Sequence, residues 1–208
     1  MKKSLNKRIF VLSAITLFLL AILYSLFDSG DQSVYVKDLL MERQEKNRAL
    51  MISEESPLNP EDKRSFKGLP YFEPTLEWIF SAELKLLPDG GDTLEMTLND
   101  GEKEQMIRVG ELTFTKEGKK YTVSCFRNPY AEDDKLFIPF RDASSGIESY
   151  GGGRYLDAIN KGDAVILDFN RAYNPFCAYN DNFVCVIPPE ENRIPLKILA
   201  GERKPSNQ

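Results

Sequence analysis

From Leu76 to Leu86 the side chains alternate with a period of two. Leu76, Trp78, Phe80, Ala82, Leu84 and Leu86 fall on even numbers, and Ile79 alone is apolar among Glu77, Ser81, Glu83 and Lys85. A β-strand sends successive side chains to opposite faces, so this run predicts a strand with one buried face. The same period returns at Leu94, Met96 and Leu98 and at Tyr121, Val123 and Cys125. Asn99-Asp100-Gly101 and Glu117-Gly118 are hairpin turns between such runs. Ile107 and Val109 are odd-numbered whereas Leu112 and Phe114 are even. Gly110 sits at that change of phase and marks a β-bulge. Further strands are expected at Leu136–Phe140, Ala164–Phe169, Phe183–Ile187 and Ile194–Ala200, with a short helical turn at Tyr155–Asn160. About eight strands in tight hairpins predict a mainly β fold, an antiparallel barrel or barrel-like sandwich, the barrel being preferred.

The chain ahead of these strands is of another kind. Ile9–Phe27 holds no charged residue, and at about 1.5 Å per residue a helix there spans a bilayer core. Lys2, Lys3, Lys7 and Arg8 precede it, while Asp28 and Asp31 follow. The positive-inside rule then leaves the N-terminus in the cytoplasm and the β-domain periplasmic or extracellular. The run lacks the small-residue cleavage site of a signal peptide, which favours an uncleaved signal-anchor. Residues 1–8 are thus a cytoplasmic basic tail, 9–27 a transmembrane helix, 28–56 a helical stalk and linker, and 57–208 the exported domain. The stalk helix is expected at Ser33–Ile52, with a partial apolar stripe (Val36, Leu39, Leu40, Leu50, Met51) that thins between Glu42 and Arg48, where the helix should meet solvent. Ser53–Lys67, broken by Pro57 and Pro60, is the linker.

Charge and residue usage exclude several functions. The formal net charge is −5, and four of the basic residues lie in the N-terminal tail, so the domain itself is more acidic still. Nucleic acid is therefore not an expected partner. The chain has no histidine. It cannot build a Ser-His-Asp or Cys-His centre, or a histidine-ligated zinc or haem site. No metal site is expected and no cofactor is named by any motif.

Two stretches hold more polar groups than turns need. In Pro139–Asp157, Arg141, Asp142, Ser144, Ser145, Glu148, Tyr150 and Arg154 surround Gly151-Gly152-Gly153. Successive glycines let the backbone approach a ligand or another strand, and N–H groups beside an arginine suit an anion. The bland alternative is a glycine-rich loop with Arg141 and Asp142 in a structural ion pair. In Leu167–Tyr179, Asp168, Asn170, Arg171, Tyr173 and Asn174 follow an apolar strand. They suit either a polar ligand or an ordered loop in which Asn and Asp cap turns. Cys125, Cys177 and Cys185 leave two readings open, a Cys177–Cys185 disulfide or three reduced thiols. A nucleophilic cysteine would have no histidine to serve as its base.

The segments ESPL (55–58), FKGLPYF (66–72), LFIPFRDASSGIESYGGGRYLDA (136–158) and LDFNRAYNPFCAYNDNFVCVIPPEENRIPLKILAGE (167–202) resemble the domain of unknown function 1684 family of prokaryotic proteins. The resemblance covers residues 55–202 and implies no reaction. Three functions follow as expectations. The first is binding of a small polar or anionic ligand by Arg141, Tyr150, Arg154, Asp168, Asn170 and Arg171. The second is a histidine-free hydrolase using paired carboxylates among Asp142, Glu148 and Asp168. The third is a structural envelope protein with no ligand.

Overall fold

Alternation becomes architecture through eight strands in the computed structural model, counted among its described residues 15–18, 32–130, 135–159 and 164–205. They are β1 (Ile79–Leu86), β2 (Asp92–Thr97), β3 (Lys103–Lys116), β4 (Lys119–Arg127), β5 (Lys135–Asp142), β6 (Arg154–Ile159), β7 (Ala164–Asp168) and β8 (Arg193–Ile194). Hydrogen-bonded neighbours run β6-β5-β4-β3-β1-β7, with β2 also on β3 and β8 on β5. The ladders are antiparallel except the short β5–β8 pair. The ends of the path, β6 and β7, approach each other, which makes a nearly closed barrel.

The chain falls into two compact units, Met1–Glu42 and Arg43–Gln208. In the first, residues 15–18 and 32–42 are helical. The expected bilayer segment Ile9–Phe27 lies for the most part outside the described residues. No helix among the described residues is long and apolar enough to cross a membrane. The helical stretch 32–52 (α1) reaches into the second unit.

The even face of β1 turns inward from Phe80 to Leu84, whereas Leu76 and Leu86 at the ends of the expected row are exposed. Ala82 is fully buried, Phe80 and Leu84 pack on the core, and Trp78 is buried in a short 3-10 turn just before the strand. Leu112, Phe114, Val123, Ile138 and Phe169 complete the centre of the barrel. The β3–β4 register shifts between Arg108 and Gly110, which places the bulge where the phase changes. A Cβ at Gly110 would lie 2.4 Å from the Lys85 carbonyl oxygen, so β3 crosses β1 too closely for any side chain there. The opposite face of β3–β5 carries a second cluster of Met96, Met106 and Phe126.

Three local expectations differ from the structure. Of the turn expected at Tyr155–Asn160, Tyr155–Ile159 is strand, most of β6, and Asn160 lies outside the described residues; Leu156 and Ala158 face the core, and the inward Arg154 hides the alternation. Phe183–Ile187 forms no strand; Val186 makes one bridge to Leu98 and covers the second cluster. Ile194–Ala200 is strand only through Ile194. Beyond it, side chains take the place of a neighbouring strand. Ile198 N donates to Asp142, and the Ile198 and Ala200 carbonyls accept from Arg154. In the linker, Asn59 caps a short helix α2 (Pro60–Ser65), with Pro60 at its first turn, where no N–H partner is lost.

In the second-unit part of α1, Gln44, Glu45 and Arg48 meet solvent as expected, while Arg43 and Asn47 dock the same stretch through polar groups. Arg43 donates to the carbonyls of Phe72 and Asn170, and Asn47 accepts from Leu69 N at 2.9 Å. Leu50, one turn on, joins Leu58 and Leu69 in a small apolar cluster.

Candidate functional site

The glycine-rich loop between β5 and β6 is built around Asp142. Its Oδ1 accepts from Ser144 Oγ, Ser145 Oγ and Arg154, and its Oδ2 accepts from Ser144 N and from Ile198 N at 2.7 Å. Ser144 and Ser149 hydroxyls bond each other at 2.8 Å. The ion pair of Asp142 is with Arg154, not with Arg141. Arg154 is fully buried and donates to the carbonyls of Ile198, Ala200 and Glu202 as well as to Asp142. Burial lowers its guanidinium pKa while Asp142 and Glu202 work against that. The expectation that Arg154 anchors an external anion thus gives way. Its fork of donors is taken up by the chain's own carbonyls and one carboxylate.

Arg141 Nε donates to the Gly152 carbonyl at 3.3 Å, closing the same loop. The glycines serve packing. Gly153 has φ of 99°, and a Cβ there would lie 2.7 Å from the Phe140 oxygen; the Tyr150 ring folds over Gly152. Tyr150 touches Cys177, and burial first, then the Cys177 sulfur, push its hydroxyl up to about 12.

The second polar stretch makes a separate network. Asp168 caps a 3-10 turn (Phe169–Arg171), accepts from Asn170 N and Nδ2, and pairs with Arg171. The Asn170 amide accepts from Thr75 N at 3.1 Å and donates to Thr75 O at 2.8 Å, so one side chain satisfies both backbone groups of the segment leading into β1. The structure therefore brings Asp168, Asn170 and Arg171 together, and places Arg141, Tyr150 and Arg154 along the other loop. Arg154 and Asn170, at most 1% exposed, face the interior.

The carboxylates proposed for a hydrolase are held singly. Asp142 pairs with Arg154, Glu148 with Lys197 and Asp168 with Arg171.

Glu202 is the polar group that sequence reasoning missed. It is buried, yet four segments meet at its carboxylate: Lys46 from α1 at 2.7 Å, Tyr71, Tyr179 at 2.7 Å and the backbone N–H of Asn174 at 2.8 Å. Lys46 also lies over the Tyr173 ring. Burial raises the hydroxyl pKa of Tyr71 and Tyr179, and the Glu202 charge adds to it. Nothing in the local sequence distinguishes Glu202, because each partner is remote in the chain.

Tyr179 connects this network to an open cleft of ≈ 730 Å³. One wall is the α2 region and the segment after it, with Asn59, Asp62, Lys67 and Pro70; the other is Ala178–Asn182. Asn180 steadies the second wall by donating to the Pro57 carbonyl and accepting from Asn182 N. The cleft is lined by carboxylates (Asp62, Asp181), an ammonium (Lys67) and amides, together with the apolar Leu58, Phe66 and Leu69.

The family model for a protein of unknown function (DUF1684) matches residues 64–203. The chain belongs to this family. Both walls of the cleft from Ser65 onward, and the whole barrel, lie within the matched span. Among solved structures, the solution NMR structure of an uncharacterised protein of Haloarcula marismortui is similar. It is 35% identical with a TM-score of 0.66, over 84% of this chain and 96% of that one. No curated protein matches the chain.

Proposed function

We propose that this DUF1684 domain is a binding module that takes a small polar ligand in the cleft between Asn59–Pro70 and Ala178–Asn182. The observation that carries the reading is the cleft itself. Its volume suits a small molecule, and it combines an apolar floor with a few charged and amide groups at the walls. Two acids against one lysine favour a neutral, zwitterionic or cationic ligand over an anion. The arginines that an anion would need are spent on internal carbonyls and carboxylates. The pairing of each carboxylate with a cation of its own argues against a two-carboxylate hydrolase, which needs a pair facing one bond. The apolar run Ile9–Phe27 supports a domain tethered at the outer side of a membrane.

The test is an NMR titration with free amino acids and monosaccharides. Amide shifts centred on Lys67 and Asp181–Asn182, and lost in Asp181→Ala, are the expected result. Shifts that appear elsewhere, or none with any compound, overturn the reading.

A further inference from the structure

We infer that Cys177 and Cys185 form a thiol–disulfide exchange site whose substrate is a small-molecule disulfide. The inference does not depend on the cleft.

Both residues are free thiols, and they lie close enough for the Cys177 N–H to reach the Cys185 sulfur. Two elements hold them there. Cys177 is the middle residue of the short turn Phe176–Ala178 after Pro175, and its N–H donates to Cys185 Sγ at 3.3 Å. Cys185 is pinned by Asn99, whose Oδ1 accepts from Cys185 N at 2.8 Å and whose N–H donates to the Cys185 carbonyl at 3.0 Å. The pair is asymmetric in access: Cys177 is buried and Cys185 is half-exposed. That is the arrangement exchange requires, an accessible attacking sulfur with a resolving thiol in contact behind it. Exposed Phe176 and Val184 flank it with apolar surface.

The electrostatics agree with the geometry. The Cys177 thiol and the backbone amides of Cys177 and Phe176 donate to Cys185 and pull its pKa down to about 7, against the opposing effect of burial. Cys177 moves the other way, held protonated by its bond to Cys185 and by burial. The Tyr150 hydroxyl lies beside the Cys177 sulfur, where it can stabilise the thiolate that forms there during resolution. Amides and a neighbouring thiol here do what the absent histidine would do elsewhere. Cys125 is unlike this pair. It is fully buried in the barrel with its S–H on the Gly110 carbonyl, and burial pushes its pKa up to about 12.

The chemistry balances. The Cys185 thiolate attacks one sulfur of R–S–S–R, forming Cys185–S–S–R and expelling R–S⁻, which takes a proton. Cys177 then gives up its proton and attacks Cys185 Sγ, forming the Cys177–Cys185 bond and releasing the second R–SH. Two protein thiols are oxidised and one external disulfide is reduced.

The experiment equilibrates the full chain in glutathione buffers stepped from fully reduced to fully oxidised, followed by intact mass and peptide mapping. The wild-type chain should pass reversibly to a form lighter by two hydrogens, carrying a Cys177–Cys185 disulfide. Cys177→Ser should instead retain one glutathione on Cys185, and Cys185→Ser should gain none on Cys177. If Cys177→Ser does not fold, acid-quenched time points of the wild-type chain should show the Cys185 adduct transiently, and its absence overturns the inference. A chain that stays reduced throughout also overturns it. So does a disulfide that no excess of reduced glutathione opens, which would be a structural staple, and so does an adduct on Cys125 formed as readily as on Cys185.

Discussion

Replacing Arg154 by methionine keeps much of the side-chain volume and removes every donor. Asp142 then remains fully buried beside no cation, and the carbonyls of Ile198, Ala200 and Glu202 lose their donor. Breaking one side of a buried ion pair costs about 3–5 kcal/mol. Each orphaned carbonyl would add about 1–3 kcal/mol if it stayed dry. Water entering the space relieves part of that, so the lower range, about 3–5 kcal/mol, is the expected loss. Against a total stability of about 5–15 kcal/mol this is a large share. For a domain of this length it lowers Tm by roughly 6–20 °C. Urea unfolding followed by the fluorescence of Trp78, the sole tryptophan, reads the change directly. Arg154→Lys should recover little, because an ammonium cannot reach three carbonyls and a carboxylate as the guanidinium fork does. Arg154→Met with Asp142→Asn should cost less than the two single changes added, since the second removes the stranded charge. A loss below about 1 kcal/mol for Arg154→Met would refute the claim that this arginine closes the fold.

Stability should fall at alkaline pH. Burial raises Cys125 from 9.0 to about 12 and Tyr150 from 10.0 to about 12, and shifts Tyr155, Tyr173 and Tyr179 upward too. Below the unfolded values both states hold these protons; above them the unfolded chain releases protons that the folded chain keeps, so stability drains away as pH climbs toward the folded values. A Tm that stays flat from about pH 8 to about pH 11 would contradict this. At the bulge, Gly110→Ala sets a Cβ against the Lys85 oxygen and the Leu86 Cα, both backbone, and should cost about 1–3 kcal/mol in urea melts. Gly151→Ala is the control, because its nearest neighbour lies at 3.5 Å, and it should change stability by less than about 0.5 kcal/mol.

The barrel was legible where neighbours in sequence decide the outcome. The even face of β1, the phase change at Gly110 and the two-residue turn Glu117-Gly118 joining β3 to β4 all follow from local periodicity and turn chemistry. β6 was hidden because its inward row begins with a charge, Arg154, whose carbonyl partners lie more than forty residues away. The candidate site was legible only as a density of polar groups. Sequence could not show that Asn170 would serve the backbone of Thr75, or that Lys46, Tyr71, Asn174 and Tyr179 would converge on Glu202. Such networks depend on which remote segments the fold brings together. The thiol pair lies between these cases. Its two cysteines are eight residues apart, but the backbone of Cys185 is held by Asn99, in the turn after β2.

The segment from Ile198 to Lys204 threads these networks together, through Arg154, Asp142, Ala172, Pro70 and Glu148 in turn. A chain growing on the ribosome makes this segment after all eight strands. Until it emerges, the nascent barrel holds an Arg154–Asp142 pair whose backbone partners at Ile198, Ala200 and Glu202 have not been synthesised. Such a species should stay open to chaperones and proteases, and should acquire its protease resistance in one step once the segment has emerged, not strand by strand during elongation.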